Sequence, residues 1–261
     1  PVNFGIIGDG HLELGHYELA FEAFDRMMQL RPSAAAYARV AYARELQGDL
    51  YGALSAMSLA ADAVPPADLE SQAWHRAQIG ELLLKLGRVA DARAAFMRAS
   101  AAFPGHPFAV IGYARTLRAE GDVAGAVDAL TRGADGTSSP DVHILLGEML
   151  AQQGDAAAAR EHVRRAEVAL RSDWSEPRHL AVFLANHGRP DEAVSIAEQA
   201  ARSRDDIFTC DALAWAYFKA GRLADASDAI ARALRTGTRD PDILAHADAI
   251  RAALRQPAVA S

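Results

Sequence analysis

Seven glycines, Gly15, Gly48, Gly87, Gly121, Gly154, Gly188 and Gly221, are each followed five residues later by an alanine: Ala20, Ala53, Ala92, Ala126, Ala159, Ala193 and Ala226. The steps between successive glycines are 33, 39, 34, 33, 34 and 33 residues. A self-similar period of this length leaves few folds open. Each unit is one supersecondary element that cannot bury its apolar face alone, so neighbouring units must stack to make a continuous core.

The first unit shows how the period becomes structure. Before Gly15, the apolar residues Phe4, Ile7, Leu12 and Leu14 predict one short helix; after it, Tyr17, Ala20, Phe21, Phe24, Met27 and Met28 recur at helical spacing. Gly15 stands where the first helix must stop and turn, a place that favours a residue without Cβ. Ala20 falls on the inner face of the second helix, and Pro32 follows as a stop. Other units repeat the logic. Gly80, Ala114, Gly147, Ala181 and Ala214 put a small residue seven positions before the glycine, and Leu83, Leu117, Leu150, Leu184 and Tyr217 follow three later. Phe24, Phe96, Leu130, Val163 and Ile230 lie four after the repeated alanine; Ala60, Ala99, Ala166, Ala200 and Ala233 lie seven after it.

In these positions the chain resembles the tetratricopeptide repeat (TPR), a 34-residue helix–turn–helix unit, from residue 1 to about residue 240. It departs from the family pattern in two places. The family's tryptophan position holds Phe4, Tyr37, Arg76, Val110, His143, Pro177 and Cys210, and its closing proline appears only as Pro32, Pro65 and Pro104. The resemblance implies an all-α fold, a right-handed α-solenoid of seven helix–turn–helix repeats plus a C-terminal capping helix. The repeats are placed at about 1–33, 34–67, 73–106, 107–139, 140–173, 174–206 and 207–240, the capping helix at 241–255, and a tail at 257–261, with 1–256 as a single domain.

Three irregularities carry further expectations. The step of 39 inserts about five residues around Val64-Pro65-Pro66-Ala67-Asp68-Leu69-Glu70-Ser71, read as a loop ended by Asp68 capping a lengthened helix. Gly133, Gly136 and Ser138-Ser139-Pro140 mark a looser joint, and Pro177 starts its helix late. After Asp240-Pro241, the residues Ile243, Ala247, Ile250 and Leu254 form one apolar stripe opposite Asp242, Asp248, Arg251 and Arg255, as a terminal capping helix requires.

Composition narrows the function classes. With 34 acidic against 27 basic residues and a net charge of −7, the chain has no polyphosphate-binding footprint, so nucleic acid is not an expected partner. Cys210 is the only cysteine, which excludes an internal disulfide and a cysteine-based metal site and reads as a small buried apolar side chain. No apolar run approaches the roughly 18 residues of a membrane-spanning helix, so direct membrane insertion is not expected. No signal peptide is visible, but the chain opens at Pro1, so a preceding segment stays open. No phosphate loop, paired metal-ligand helix, nucleophile elbow or triad spacing appears, and the glycines of Gly5-Ile6-Ile7-Gly8-Asp9-Gly10 have the wrong spacing for a dinucleotide fingerprint. His11, Glu13 and His16 are the only local group resembling metal ligands, and the two histidines straddle the Gly15 turn. The expectation is therefore no catalysis, no cofactor and no metal.

In the family, first helices line the concave surface. Residues 2, 5, 9 and 12 of each repeat share one face of that helix, which places Tyr42, Trp74, Phe108, Ile111, Arg115, Arg118, Phe208, Trp215 and Phe218 on the binding face for a protein or peptide segment. For Trp74 and Phe108 a second reading stands beside it: packing on the next repeat's helix, or cover for the inserted loop. Trp215 is assigned to the groove. Some family members clamp a peptide carboxylate with lysine and asparagine at positions 5 and 9. Here these positions hold Gly5 and Asp9, Ala38 and Tyr42, Ala77 and Glu81, so an Hsp90-type C-terminal peptide is not the expected ligand.

The leading functional reading is a noncatalytic protein- or peptide-binding scaffold. One alternative is self-assembly, with solenoid ends stacking into oligomers or filaments through Val2, Phe4, Ile6, Ile7, Ile243, Ile250 and Leu254. The other is a regulatory domain of a longer enzyme or sensor. The first helix contains Gly5, Gly8 and Gly10, each disfavouring helix by about 0.8–1 kcal/mol, and its apolar residues have no evident cover within the chain.

Overall fold

The computed structural model describes residues 2–134, 139–173 and 175–255. Among them are fifteen α-helices and no strand, the all-α repeat architecture expected from the period. Seven helix pairs come first: α1 (Val2–Glu13) with α2 (Tyr17–Leu30), α3 (Ala34–Leu46) with α4 (Leu50–Asp62), α5 (Leu69–Lys85) with α6 (Val89–Ala102), and α7 (Pro107–Ala119) with α8 (Val123–Ala134). The series continues with α9 (Pro140–Gln152) and α10 (Ala156–Ser172), α11 (Pro177–Asn186) and α12 (Pro190–Ala201), and α13 (Ile207–Lys219) and α14 (Leu223–Ala233). A single helix, α15 (Pro241–Arg255), closes it. Of the looser joint, Gly136 and Ser138 lie outside the described residues, as does the 257–261 tail.

Each repeated glycine ends a first helix in the left-handed region, Gly154 for example at φ +88°. The amide of the next residue then reaches back to the fifth carbonyl before it: Asp155 to Leu150 at 2.9 Å, Arg88 to Leu83 at 2.9 Å, Arg222 to Tyr217 at 2.9 Å. These bonds satisfy carbonyls the helix end would otherwise leave unpaired. Beyond the turn, an aspartate often caps the second helix; Asp122 accepts from the Gly125 amide (2.9 Å) and Asp155 from that of Ala158 (3.0 Å). All seven repeated alanines are buried.

The chain packs as two compact units. One comprises Arg31–Tyr42 and Leu50–Ser172. Within it α5 and α6 pair, α6 packs on α7, and the first helices α5, α7 and α9 touch in series. Its core runs through Ala41, Ala53 and Met57, then Ala77, Ala92 and Phe96, then Leu130, Leu146 and Met149. Phe96 is wedged between the backbones of two first helices: a Cβ on Gly80 would lie 2.6 Å from its ring, and one on Gly112 would overlap it. The helix-interior glycines are there to make room for this aromatic.

The inserted loop behaves as expected. The Asp68 side chain caps α5 by accepting from the Ser71 amide at 3.1 Å, and α5 is lengthened to 17 residues.

The other unit comprises Pro1–Leu30, Ala43–Asp49 and Asp173–Ser261. Pro177 is in the first turn of α11, which has only 10 residues. Despite its glycines, α1 is helical from Val2 to Glu13, and a Cβ on Gly8 would sit 2.6 Å from Phe24 Cδ1, so this glycine too admits an aromatic. Val2 and Ile6 are 68% and 65% exposed, Ile7 is also exposed, and Phe4 is half-buried. Two of the residues proposed for self-association need correction: Ile243 and Ile250 are 1% and 0% exposed. They form the inner stripe by which α15 packs on α13 and α14, leaving Leu254 exposed at its end. The first helix pair also finds cover that the period did not reveal. Tyr17 Oη accepts from the Ile207 amide (2.7 Å), the Asp205 amide donates to the Glu13 carbonyl (3.2 Å), and Arg204 pairs with Glu13 (3.2 Å). Arg235 lies over the Tyr17 ring and donates to the Asp205 carbonyl. Burial pushes the Tyr17 hydroxyl pKa up to about 12.

Candidate functional site

The residues assigned to the binding face divide between the two units. In the Arg31–Tyr42 and Leu50–Ser172 unit, Tyr42 and Phe108 are exposed, as are Arg115 and Arg118. Arg115 reaches back one repeat to pair with Glu81 at 3.4 Å. Ile111 is not on this face. It is buried in the core with Leu117, Leu145 and Leu146, among residues of α8 and α9.

Trp74 is half-buried and packs edge-on against His75, with ring centroids 4.8 Å apart. Both line a cavity of about 310 Å³ between α3 and α5, walled by Ala34, Ala38, Val64 and Pro65. The tryptophan therefore faces the neighbouring first helix and the inserted loop while bordering open space, so elements of both sequence readings apply to it. Phe108 lies at the start of α7, against His106, itself edge-on to Phe103.

In the other unit, Trp215 is half-buried. Its indole stacks on His246 of α15 (4.0 Å, 13°) and on Phe218 (5.1 Å), its Nε1 donates to Asn186 Oδ1 (2.8 Å), and the Lys219 ammonium lies 5.2 Å from the ring. One face of the predicted groove residue is thus already covered by the terminal helix. Phe208 sits under the Arg178 guanidinium at 5.8 Å. Below Trp215, buried Asp211 accepts from His246 Nδ1 (2.9 Å); burial raises the Asp211 pKa, and the His246 hydrogen bond opposes that rise.

Histidines are the functional-type residues that periodicity could not find, because none of them repeats, and only His75, His106 and His143 are buried. Among the described residues there is no group of three or more side chains able to hold a metal. The His11 and His16 rings lie 5.7 Å apart, and Glu13 of that group pairs with Arg204. Cys210 is buried, and burial pushes its thiol up to about 11, away from thiolate chemistry at neutral pH.

His75, His106, His143 and His162 all have pKa values lowered, in each case first by burial. His143 and His162 face each other with Nδ1 atoms 3.1 Å apart, a geometry in which one donates and the other accepts. A second proton breaks that bond and sets two cations together. Because the folded values lie below the unfolded one, this contribution is complete above about pH 6.5 and is lost as pH falls through the folded values. Thermal melts should therefore show stability dropping on acidification from pH 7.5 toward 5, and His162→Gln, whose amide can still donate, should lose less over that interval.

A family model described as "Tetratricopeptide repeat" matches residues 78–141 and 114–177. Among solved structures, "Functional Characterization of Pseudomonas Aeruginosa pilF" shares 18% identity over 77% of this chain and 90% of that chain, with a TM-score of 0.55, a likeness of fold. The crystal structure of TTC0263, a thermophilic TPR protein in Thermus thermophilus, shares 25% identity over 69% of this chain and 99% of that one, at a TM-score of 0.48. "Crystal structure of APC/C hetero-tetramer Cut9-Hcn1" shares 18% identity over 94% of this chain, which spans 55% of the length of that one, at a TM-score of 0.49. No curated protein matches the chain significantly. No described helix is long and apolar enough to cross a membrane. With seven registered glycine–alanine units, helix pairs built on them, and residues 78–177 matched by the family model, the chain carries tetratricopeptide repeats.

Proposed function

We propose that the protein is a noncatalytic scaffold that binds a protein or peptide segment on its first-helix face. The observation that carries this reading is the exposure of Tyr42, Phe108, Arg115 and Arg118 on the first helices α3 and α7, either side of the helix that carries Trp74 and its cavity. Phe108 packs on His106 by one side of its ring and is still 45% exposed. Aromatic and arginine side chains are the types that most often dominate binding energy. Glu81, holding Arg115 at 3.4 Å, spares that guanidinium some of the ordering it would lose on binding.

Panning the purified chain against a displayed peptide library and mapping the selected peptides by amide chemical shifts tests the reading. The expected footprint covers α3, α5 and α7, and Phe108→Ala is expected to weaken binding by more than about 1 kcal/mol. A footprint confined to the second helices α4, α6 and α8 would reject it, as would a library yielding no binder.

A second reading is favoured by the exposed Val2, Ile6 and Ile7 on α1: self-association with another copy through that stripe. Light scattering on the wild type and on Ile6→Glu tests it; the reading requires a concentration-dependent oligomer that the charged variant loses.

A further inference from the structure

Three positions of each first helix, 12, 8 and 5 residues before its glycine, share one side of the helix. In later repeats that side seals onto the helix pair before it. Val142, Leu146 and Met149 of α9 are fully buried and share one core with Ala126 and Leu130 of α8. Ala109 of α7 joins the core of α5 and α6, and Leu82 of α5 joins that of α3 and α4. The last of the three positions is buried in all six later repeats, as Ala43, Leu82, Thr116, Met149, Phe183 and Ala216. The terminal helix obeys the same rule. Ile243, Ala247 and Ile250 have this spacing and are buried where α15 packs on α13 and α14.

On α1 the same three positions are Asn3, Ile7 and Gly10, and all are exposed. Leu14 continues the stripe and Ile6 flanks it, both exposed as well. The helix buries only its other side, through Gly5, Gly8 and Leu12. A side that the sister helices keep dry is therefore wet here, and removing its apolar area from water is favourable.

Three features select a second copy of this chain as the cover. The first is that the far end offers no seat for head-to-tail growth. The last pair, α13 and α14, is already sealed by α15, whose outer side presents the Asp248–Arg251 ion pair (3.1 Å). The second is shape. Ile7 and Gly10 are neighbours on one seam, and a Cβ added to Gly10 would meet nothing within 4 Å. When two α1 helices run antiparallel about an axis between residues 8 and 9, each Ile7 falls over the bare backbone of the other copy's Gly10. The third is electrostatic. Antiparallel helices oppose their dipoles, and each Glu13 then lies beside the other copy's first turn, which carries no acidic residue of its own.

We propose that α1 is the interface of a closed two-fold dimer, with the Ile7 of each copy seated on the Gly10 of the other. The proposal rests on the self-association reading above and specifies its geometry: one patch pairs with itself, so assembly stops at two chains instead of growing into a filament.

The test is sedimentation equilibrium of the full chain, alone and as mixed variants. The wild type is expected to rise with concentration to the mass of two chains and no further. Ile7→Glu and Gly10→Lys, each by itself, should weaken the dimer about ten-fold or more, the scale of overpacking a close contact. An equimolar mixture of the two variants should recover dimers, because one contact then pairs the introduced opposite charges and the other keeps the native isoleucine on glycine. Gly10→Lys should fold as well as the wild type, since space is open there and lysine is the better helix former. Should Ile7→Glu fail to fold, Gly10→Lys decides, because a dimer as tight as the wild type would refute the interface. A wild type that stays monomeric at every concentration rejects the self-association reading and this dimer with it. An oligomer that Ile6→Glu dissolves, but that grows beyond two chains or is not recovered by mixing, leaves that reading standing and overturns only the two-fold pairing.

Discussion

Phe96→Ala is expected to destabilise the protein by about 3–5 kcal/mol, the range for removing a fully buried aromatic side chain. Its ring is completely buried and wedged between α5 and α7 against the bare backbones of Gly80 and Gly112. Its buried core companions are short apart from Leu83, namely Ala73, Ala77, Ala92, Ala95, Ala99 and Ala109, so little side-chain volume stands ready to fill the space. The complementary change tests the same contact from the other side. Alanine in place of a helix-interior glycine normally adds about 0.8–1 kcal/mol of stability. At Gly112 the new methyl would overlap the Phe96 ring, and the ring cannot retreat without meeting Gly80, so Gly112→Ala should lose about 1–3 kcal/mol through overpacking instead. Combining it with Phe96→Leu should recover part of that loss. Chemical denaturation followed by circular dichroism reads all three, and a Gly112→Ala protein at or above wild-type stability would show that the wedge is absent.

The period makes the helices legible because the two devices that set it are local. A glycine that must turn at positive φ and an alanine that must fit a crossing leave their marks at fixed offsets. So the helix pairs, the Asp68 cap, the late start at Pro177 and the terminal stripe can all be read before any coordinates. The same reasoning misplaces what depends on which way a face turns. Ile111 satisfies the spacing of the binding face, yet it lies in the core, and Ile243 and Ile250 satisfy the spacing of an exposed end yet form the seal of α15. Spacing assigns Trp215 to the groove but cannot register that His246, 31 residues further on, stacks on it at 4.0 Å. Least legible are single, non-repeating side chains. Nothing in the period announces that His75 Nδ1 meets a carbonyl one helical turn earlier while its Nε2 is left without a partner among the described residues.

Gly15→Ala and Gly48→Ala are expected to be markedly more damaging than Gly154→Ala, although all three glycines occupy the same turn position at positive φ. The shared part is backbone strain, about 1–2 kcal/mol for a residue with a Cβ in the left-handed region. At Gly154 nothing lies within 4 Å of the added methyl, so strain is the whole effect. At Gly15 the methyl would sit 2.5 Å from the Asp205 carbonyl oxygen, and at Gly48 it would sit 2.5 Å from that of Gly237. Backbone atoms yield less readily than side-chain tips, so a further 1–3 kcal/mol or so, about the cost of overpacking, is expected at each. The excess measures a contact that joins the first repeats to residues far along the chain, where Tyr17 meets Ile207. That contact bears on self-assembly. End-to-end association between copies is the expectation when nothing covers the first repeat, but Glu13, Gly15 and Tyr17 are already engaged by residues 205–207 and 235 of the same chain. On α1, the Val2, Ile6 and Ile7 stripe remains exposed for another copy. If thermal melts show equal shifts for Gly15→Ala and Gly154→Ala, the intramolecular contact does not persist in solution, and the first repeat's inner surface becomes available to a second molecule. If the Gly15 and Gly48 variants fall together and further, the ends are tied within one chain, and any assembly must proceed through the outer stripe alone.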